Sequence, residues 1–328
     1  MESSRRIFFK KSLASLAAVS TGAMCASPTS VQNNNEAKYV NVKGIKTRYF
    51  EAGSGEKLLL IHGGNYGHSF YSANSWNLNI EVLSRNFHVY ALDKLGMGYT
   101  DTPPTDAAYT MEATIEHVYG FMKALGIERA SIAGHSRGAL PGARIAVEHP
   151  EMVKSLIIFD SRSLAPTDLS IGAKENPFYT NLLANPPATP NTDYLRREPD
   201  ANSYFQHHIT DEYANAILEI EQLSKTKIVQ EKMAHLKPQF VADASKVKEE
   251  TLTLITEGKL ISPTIVIWGY NDPSSPLNLG IDLMKVITPV VPNSQLLILN
   301  QAGHYVFRDQ ADKVNRIIKE FINSLKTT

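Results

Sequence analysis

Ser131-Ile132-Ala133-Gly134-His135-Ser136-Arg137-Gly138-Ala139-Leu140 holds a serine between two glycines, with an apolar run before it and the helix-like stretch ALPGARIAVEH after it. A serine at a sharp strand-to-helix turn has its hydroxyl pushed out above a sheet. Bulky side chains two residues to either side would collide at such a turn, and Gly134 and Gly138 remove that obstacle. The helix that follows aims its free N–H groups and positive dipole end at the same place. The pentapeptide alone is a weak signal, and its placement after a strand and before a helix strengthens it.

A serine hydroxyl needs a base, and the base needs an orienting acid. His304, in Asn300-Gln301-Ala302-Gly303-His304, follows the last apolar strand pattern, and Asp272, in Trp268-Gly269-Tyr270-Asn271-Asp272-Pro273, follows the strand before it. His62-Gly63-Gly64-Asn65 follows Leu58–Ile61, so the backbone N–H of Gly64 or Asn65 can join that of Arg137 in an oxyanion hole. Asp160 also ends a strand and is the alternative acid, although the loop around Asp272 suits the role better. His62 is expected to brace the oxyanion loop and His135 to pack beneath the serine. The Arg137 side chain either reaches substrate or pairs at the surface.

Around these points short apolar runs alternate with helical periods, which implies a mostly parallel sheet covered by helices on both faces. Strands are predicted at Tyr39–Val42 and Thr47–Phe50 (a hairpin), Leu58–Ile61, His88–Leu92, Ala130–Ala133, Ser155–Phe159, Thr264–Trp268 and Gln295–Leu299. The rhythm breaks after Arg162. Residues 163–256 are proline-rich at first and then carry a long helical period from Asp211 to Ala234, so they are read as a helical cap inserted into a core of 39–162 and 257–328.

From Tyr39 onward the chain resembles the α/β-hydrolase fold, in which nucleophile, acid and histidine follow in the order Ser136, Asp272, His304. Within that fold it is similar to the hydrolases of aromatic-ring meta-cleavage products, which split a carbon–carbon bond beside a ketone. The motifs that carry the likeness are HGGNYG, SWNLNIEVLSRNFHVYALD, LGMGYTD, GHSRGALPGARIAVEHPEMV, WGYNDPSSP and NQAGHYVF. The resemblance implies a Ser-His-Asp hydrolase acting on a small carbonyl substrate of the 2-hydroxy-6-oxo-dienoate type. It also implies a tryptophan after the histidine, where this chain has Tyr305, and a cap arginine for the substrate carboxylate, for which Arg162, Arg196 and Arg197 are candidates. His207 and His208 are further candidates for the pocket. A carboxylesterase or lactonase on a small apolar ester is the alternative, and a non-catalytic ligand receptor on the same scaffold is the reading from outside the enzymes. Dehalogenases and epoxide hydrolases of this fold need Asp where Ser136 stands.

Composition limits the other classes. The chain has 328 residues, 43% of them hydrophobic, and a formal net charge of zero, which argues for a globular protein and against an electrostatic nucleic-acid binder. Its one cysteine, Cys25, leaves no disulfide framework or thiol nucleophile downstream, and no histidine spacing suggests a metal; no cofactor is expected. Residues 1–26 set Arg5-Arg6 before a short Ala/Ser-rich run, as in a twin-arginine export signal, too short and weakly apolar for a permanent membrane span. Residues 27–38 read as a polar leader. An exported protein, periplasmic or extracellular, is expected.

Overall fold

The computed structural model describes residues 36–166 and 177–326, so residues 1–26, read above as an export signal, and most of the segment read as a leader lie outside the described residues. Eight strands form one sheet: β1 (Lys38–Val42), β2 (Ile45–Ala52), β3 (Lys57–Ile61), β4 (His88–Leu92), β5 (Ala130–His135), β6 (Val153–Phe159), β7 (Thr264–Gly269) and β8 (Gln295–Leu299). Their spatial order is β1-β2-β4-β3-β5-β6-β7-β8. The hairpin β1–β2 pairs antiparallel, as does β2 with β4, and every other pairing is parallel. Residues 58–61 of β3 and all of β5 and β7 are buried, which is why these strands are unbroken apolar runs in the sequence and not alternating ones.

The pleat divides each central strand between two cores. Leu59, Ile61, Ile132, Leu156, Ile158 and Val266 face one side, where helices α2 (Met111–Ala124), α3 (Ala139–Glu148) and α8 (Leu277–Ile287) pack. Leu58, Leu60, Ala133, Ile157, Phe159 and Ile267 face the other, against α1 (Asn77–Ser84) and α10 (Ala311–Ser324). A short helix α9 (Val306–Asp309) leads into α10.

Between β6 and β7 the described chain forms helices α4 (Pro177–Leu182), α5 (Thr192–Asn202), α6 (Asp211–Gln222) and α7 (Ser224–Thr256), while β6 and β7 remain neighbours in the sheet. The insertion thus adds helices without interrupting the strand order. The period from Asp211 to Ala234 is two helices, not one. Leu223 takes an extended backbone, φ −63° and ψ 134°, and ends α6 before α7 begins. No helix among the described residues is long and apolar enough to cross a membrane.

A buried ion pair ties the hairpin to the loop after β4. Arg48 Nε lies 2.7 Å from Asp93 Oδ2, and the same carboxylate accepts the backbone N–H groups of Ala73 and Tyr99, each at 2.7 Å. Burial alone would raise the carboxyl, yet Arg48 holds Asp93 below the usual carboxylate range. The loop that carries Lys94 therefore starts from a fixed point.

Candidate active site

Ser136 sits where β5 turns into α3, with φ +50°, a left-handed conformation that a residue with a β-carbon adopts only under constraint. The flanking glycines supply the constraint. A β-carbon on Gly134 would lie 2.5 Å from the Gly138 carbonyl oxygen, and one on Gly138 would lie 2.4 Å from the Ile61 carbonyl oxygen. The turn is pressed against β3 with no room for side chains. From behind, Ser161 and Ser163 hydroxyls both donate to the Ser136 carbonyl, at 2.9 and 3.0 Å. His135 is buried under the turn and its Nε2 meets the His304 carbonyl at 2.9 Å.

His304 follows β8, and its Nδ1 lies 2.7 Å from Asp272 Oδ2. The other oxygen of Asp272 accepts the N–H groups of Ser274 and Ser275, at 2.8 and 2.7 Å, and the Ser274 hydroxyl at 3.1 Å. Both oxygens are thus committed, one to the loop and one to the imidazole. Asp160 is buried beside this pair, but its Oδ1 accepts the Gly269 N–H at 2.8 Å. Burial, reinforced by the neighbouring Asp272 charge, pushes the Asp160 carboxyl well above the usual range.

On the opposite side, Gly64 adopts φ +73°, and a β-carbon there would strike the Tyr71 ring at 2.4 Å. His62 is wholly buried and its Nδ1 lies 2.8 Å from the Gly63 carbonyl oxygen. Burial lowers its pKa to about 3, so the ring is neutral near pH 7. Ser136, His304, Gly64, Asn65 and Arg137 open onto one cavity of about 470 Å³, a size suited to a small organic molecule. No hydrogen bond joins Ser136 to His304; in such sites that bond often tightens only when substrate binds.

The α/β-hydrolase fold family model matches residues 57–311. The chain belongs to the α/β-hydrolase family. A 2-hydroxy-6-oxo-6-(2'-aminophenyl)hexa-2,4-dienoic acid hydrolase of Metapseudomonas resinovorans is 39% identical over 128 residues, 39% of this chain and 43% of that relative. A longer match, 26% identical over 300 residues, covers 90% of this hydrolase and 99% of the 2-hydroxy-6-oxo-6-phenylhexa-2,4-dienoate hydrolase of Comamonas testosteroni. Among solved structures, a mutant of the meta-cleavage product hydrolase from Pseudomonas fluorescens IP01, complexed with acetates, superposes with a TM-score of 0.70 at 26% identity, covering 88% of this chain and 97% of that one. This α/β-hydrolase is therefore a hydrolase similar to carbon–carbon bond hydrolases.

The remaining sequence candidates divide. Arg162 lines the cavity and donates to the Ser274 carbonyl at 2.9 Å. Arg196 pairs instead with Asp211 and the Ile209 carbonyl, and Arg197 is exposed over the Tyr194 ring. The histidine pair does not line the cavity: His207 is exposed, and His208 is buried between Asp309, at 3.1 Å, and Arg308. Tyr305 lies behind the wall, stacked on Tyr71 with centroids 5.7 Å apart. Its hydroxyl donates at 2.8 Å to Glu198, a buried carboxylate of α5 that lines the cavity and also accepts from Tyr71 and Asn202, each at 2.7 Å. Burial raises the Glu198 carboxyl despite these donors. Sequence reading missed Glu198 because Leu195-Arg196-Arg197-Glu198-Pro199-Asp200 looks like a solvated charged face. It also missed Lys237, which lines the cavity from α7.

Proposed function

We propose that this hydrolase uses Ser136 as nucleophile, His304 as proton carrier and Asp272 as the acid that orients the imidazole. The N–H of Gly64 or Asn65, with that of Arg137, binds the oxyanion. The observation that carries this reading is the 2.7 Å contact of His304 Nδ1 with Asp272 Oδ2, with His304 and the strained Ser136 on one cavity. The substrate is a small carbonyl compound of the 2-hydroxy-6-oxo-dienoate type, bound beneath the inserted helices acting as a cap. The named relatives support that class, and so do three cationic side chains of the cavity wall, Arg137, Arg162 and Lys237, which suit a carboxylate. In this reaction His304 first moves a proton to ketonise the dienol. Ser136, or a water, then gives up its proton to His304 and adds to the ketone. Collapse of the adduct breaks the carbon–carbon bond, and the leaving dienol fragment takes that proton from His304. On the serine branch, water hydrolyses the acyl-serine to the carboxylic acid.

A second reading, carboxylesterase or lactonase, is favoured by Glu198, since a buried acid in the cavity wall disfavours an anionic substrate, and by Arg196 and Arg197 lying away from the cavity. The purified protein offered 2-hydroxy-6-oxo-6-phenylhexa-2,4-dienoate and p-nitrophenyl acetate decides between them. The first reading expects kcat/KM for the dienoate to exceed that for the ester by at least about tenfold, which is about 1.4 kcal/mol of transition-state preference. The reverse order selects the ester reading. Turnover of neither would overturn both substrate readings.

We also propose that residues 1–26 direct export by a twin-arginine route. Changing Arg5 and Arg6 to Lys should retain the protein inside the cell. Unaltered export of that variant, followed by fractionation, would exclude the route.

A further inference from the structure

Lys94 is buried directly after β4, and its Nζ donates at 3.0 Å to the Gly64 carbonyl oxygen. No carboxylate pairs with it among the described residues. Burial, with the Arg137 charge nearby, holds its amine well below the usual lysine range. A lysine kept in such a place without a counter-ion is costly to a fold, and the one acceptor it holds belongs to the loop read above as half of the oxyanion hole.

The same residue grips that loop twice. Its backbone N–H donates to His62 Nε2 at 3.1 Å. Because that ring nitrogen accepts, the His62 proton sits on Nδ1 and is donated to the Gly63 carbonyl at 2.8 Å. Two successive carbonyls of the loop, those of Gly63 and Gly64, are thus pulled to fixed partners. In a planar trans peptide the C=O and N–H point in opposite directions. Fixing the Gly63 and Gly64 carbonyls fixes the N–H groups of Gly64 and Asn65, neither of which has a hydrogen-bond partner among the described residues, while both residues line the cavity with Ser136. A donor on the carbonyl also polarises the peptide and strengthens its N–H as a donor in turn.

We propose that Lys94 is a positioning residue of the oxyanion hole, holding the loop by the Gly64 carbonyl so that its N–H groups, of Gly64 or Asn65, meet the oxyanion. The proposal rests on the serine-hydrolase reading given above. Lys94 acts on charge that develops in the reaction, so its loss should appear in the transition state and hardly at all in substrate binding.

The test compares two ligands of the same shape, an alkyl trifluoromethyl ketone and the corresponding methyl ketone, in the wild type and in Lys94→Met. The fluorinated ketone is attacked by Ser136: an Oγ–C bond forms, the serine proton passes to His304, and the carbonyl oxygen becomes an oxyanion. The methyl ketone binds without that step. In Lys94→Met, checked for folding by circular dichroism, kcat is expected to fall about ten- to a hundredfold with KM little changed, less than the 10²–10³ of losing a donor outright. The affinity ratio of the two ketones is expected to fall by a similar factor. Equal weakening of both ketones, or an unchanged kcat, overturns the proposal. If the Met variant does not fold, Lys94→Gln keeps a polar head in the same site with a shorter reach, and the ratio should fall in the same direction; an unchanged ratio there overturns the proposal too. Ser136→Ala separates the two layers of the reading. Tight trifluoromethyl ketone binding that survives it overturns the serine reading, and with it the role of Lys94. Binding that depends on Ser136 while the ratio is indifferent to Lys94 overturns the role of Lys94 alone.

Discussion

Replacing Ser136 by Ala should lower kcat on the best substrate by as much as about 10⁶-fold, the scale seen when a nucleophile that works as a unit with its base is lost. Thermal stability should be almost unaffected. The Ser136 side chain makes no hydrogen bond among the described residues, and the bonds that hold the turn go to its backbone carbonyl, which alanine keeps. Alanine also carries the same β-carbon into the φ +50° conformation, so the backbone strain is the same in both proteins. Parallel measurement of turnover and melting temperature checks both halves. A variant with wild-type turnover would remove Ser136 from the chemistry, and one that loses activity only by unfolding would leave its role without support.

Asp272→Asn should cost about 10⁴-fold in kcat, the size of effect produced when an orienting acid is replaced by an amide that stabilises the wrong imidazole tautomer. The geometry indicates why an amide cannot serve. Asp272 Oδ1 faces two backbone N–H groups, those of Ser274 and Ser275, so an asparagine must turn its own oxygen toward them. Its NH₂ then faces His304 Nδ1, which must accept, and the ring proton moves to Nε2, where the base for the serine is needed. Asp160→Asn is expected to stay within about tenfold of wild type in kcat, because its effect on the imidazole is electrostatic and indirect, against 10⁴ for the tautomer. Its Oδ1 is bonded to the Gly269 N–H and not to the imidazole. Steady-state kinetics of the two variants side by side decide the matter, and a large loss in Asp160→Asn with a small one in Asp272→Asn would exchange the two roles.

The sheet could be read from the sequence because its central strands are buried on both faces. Leu58-Leu59-Leu60-Ile61 and Thr264–Trp268 have no other use for such continuous apolar runs. The break at Leu223 was invisible because residues 211–234 contain neither glycine nor proline, and the helical period continues straight through it. Asp272 and His304 could be paired on paper because each directly follows a strand, and neighbouring strands bring their ends together. Glu198 and His208 could not be assigned in that way. Their partners, Tyr71 and Asp309, are about a hundred residues away in the chain, and only the packing of the insertion on the core decides which side of α5 and its loop turns inward.

His304 N–H donates to the Asn202 carbonyl at 2.7 Å, and Asp309 accepts from Tyr204, Phe205 and Gly303 backbone N–H groups, at 3.0, 2.9 and 2.8 Å. Gly303 leaves no space beneath this seam, since a β-carbon there would lie 2.3 Å from the Asn202 oxygen. The histidine loop is thus shaped jointly by the core and by the chain that crosses above it. Grafting a relative's insertion onto this scaffold for a new specificity would remove half of the mould that holds the base. The transferable module is the insertion together with residues 300–309, so substrate range and proton transfer are inherited as one block.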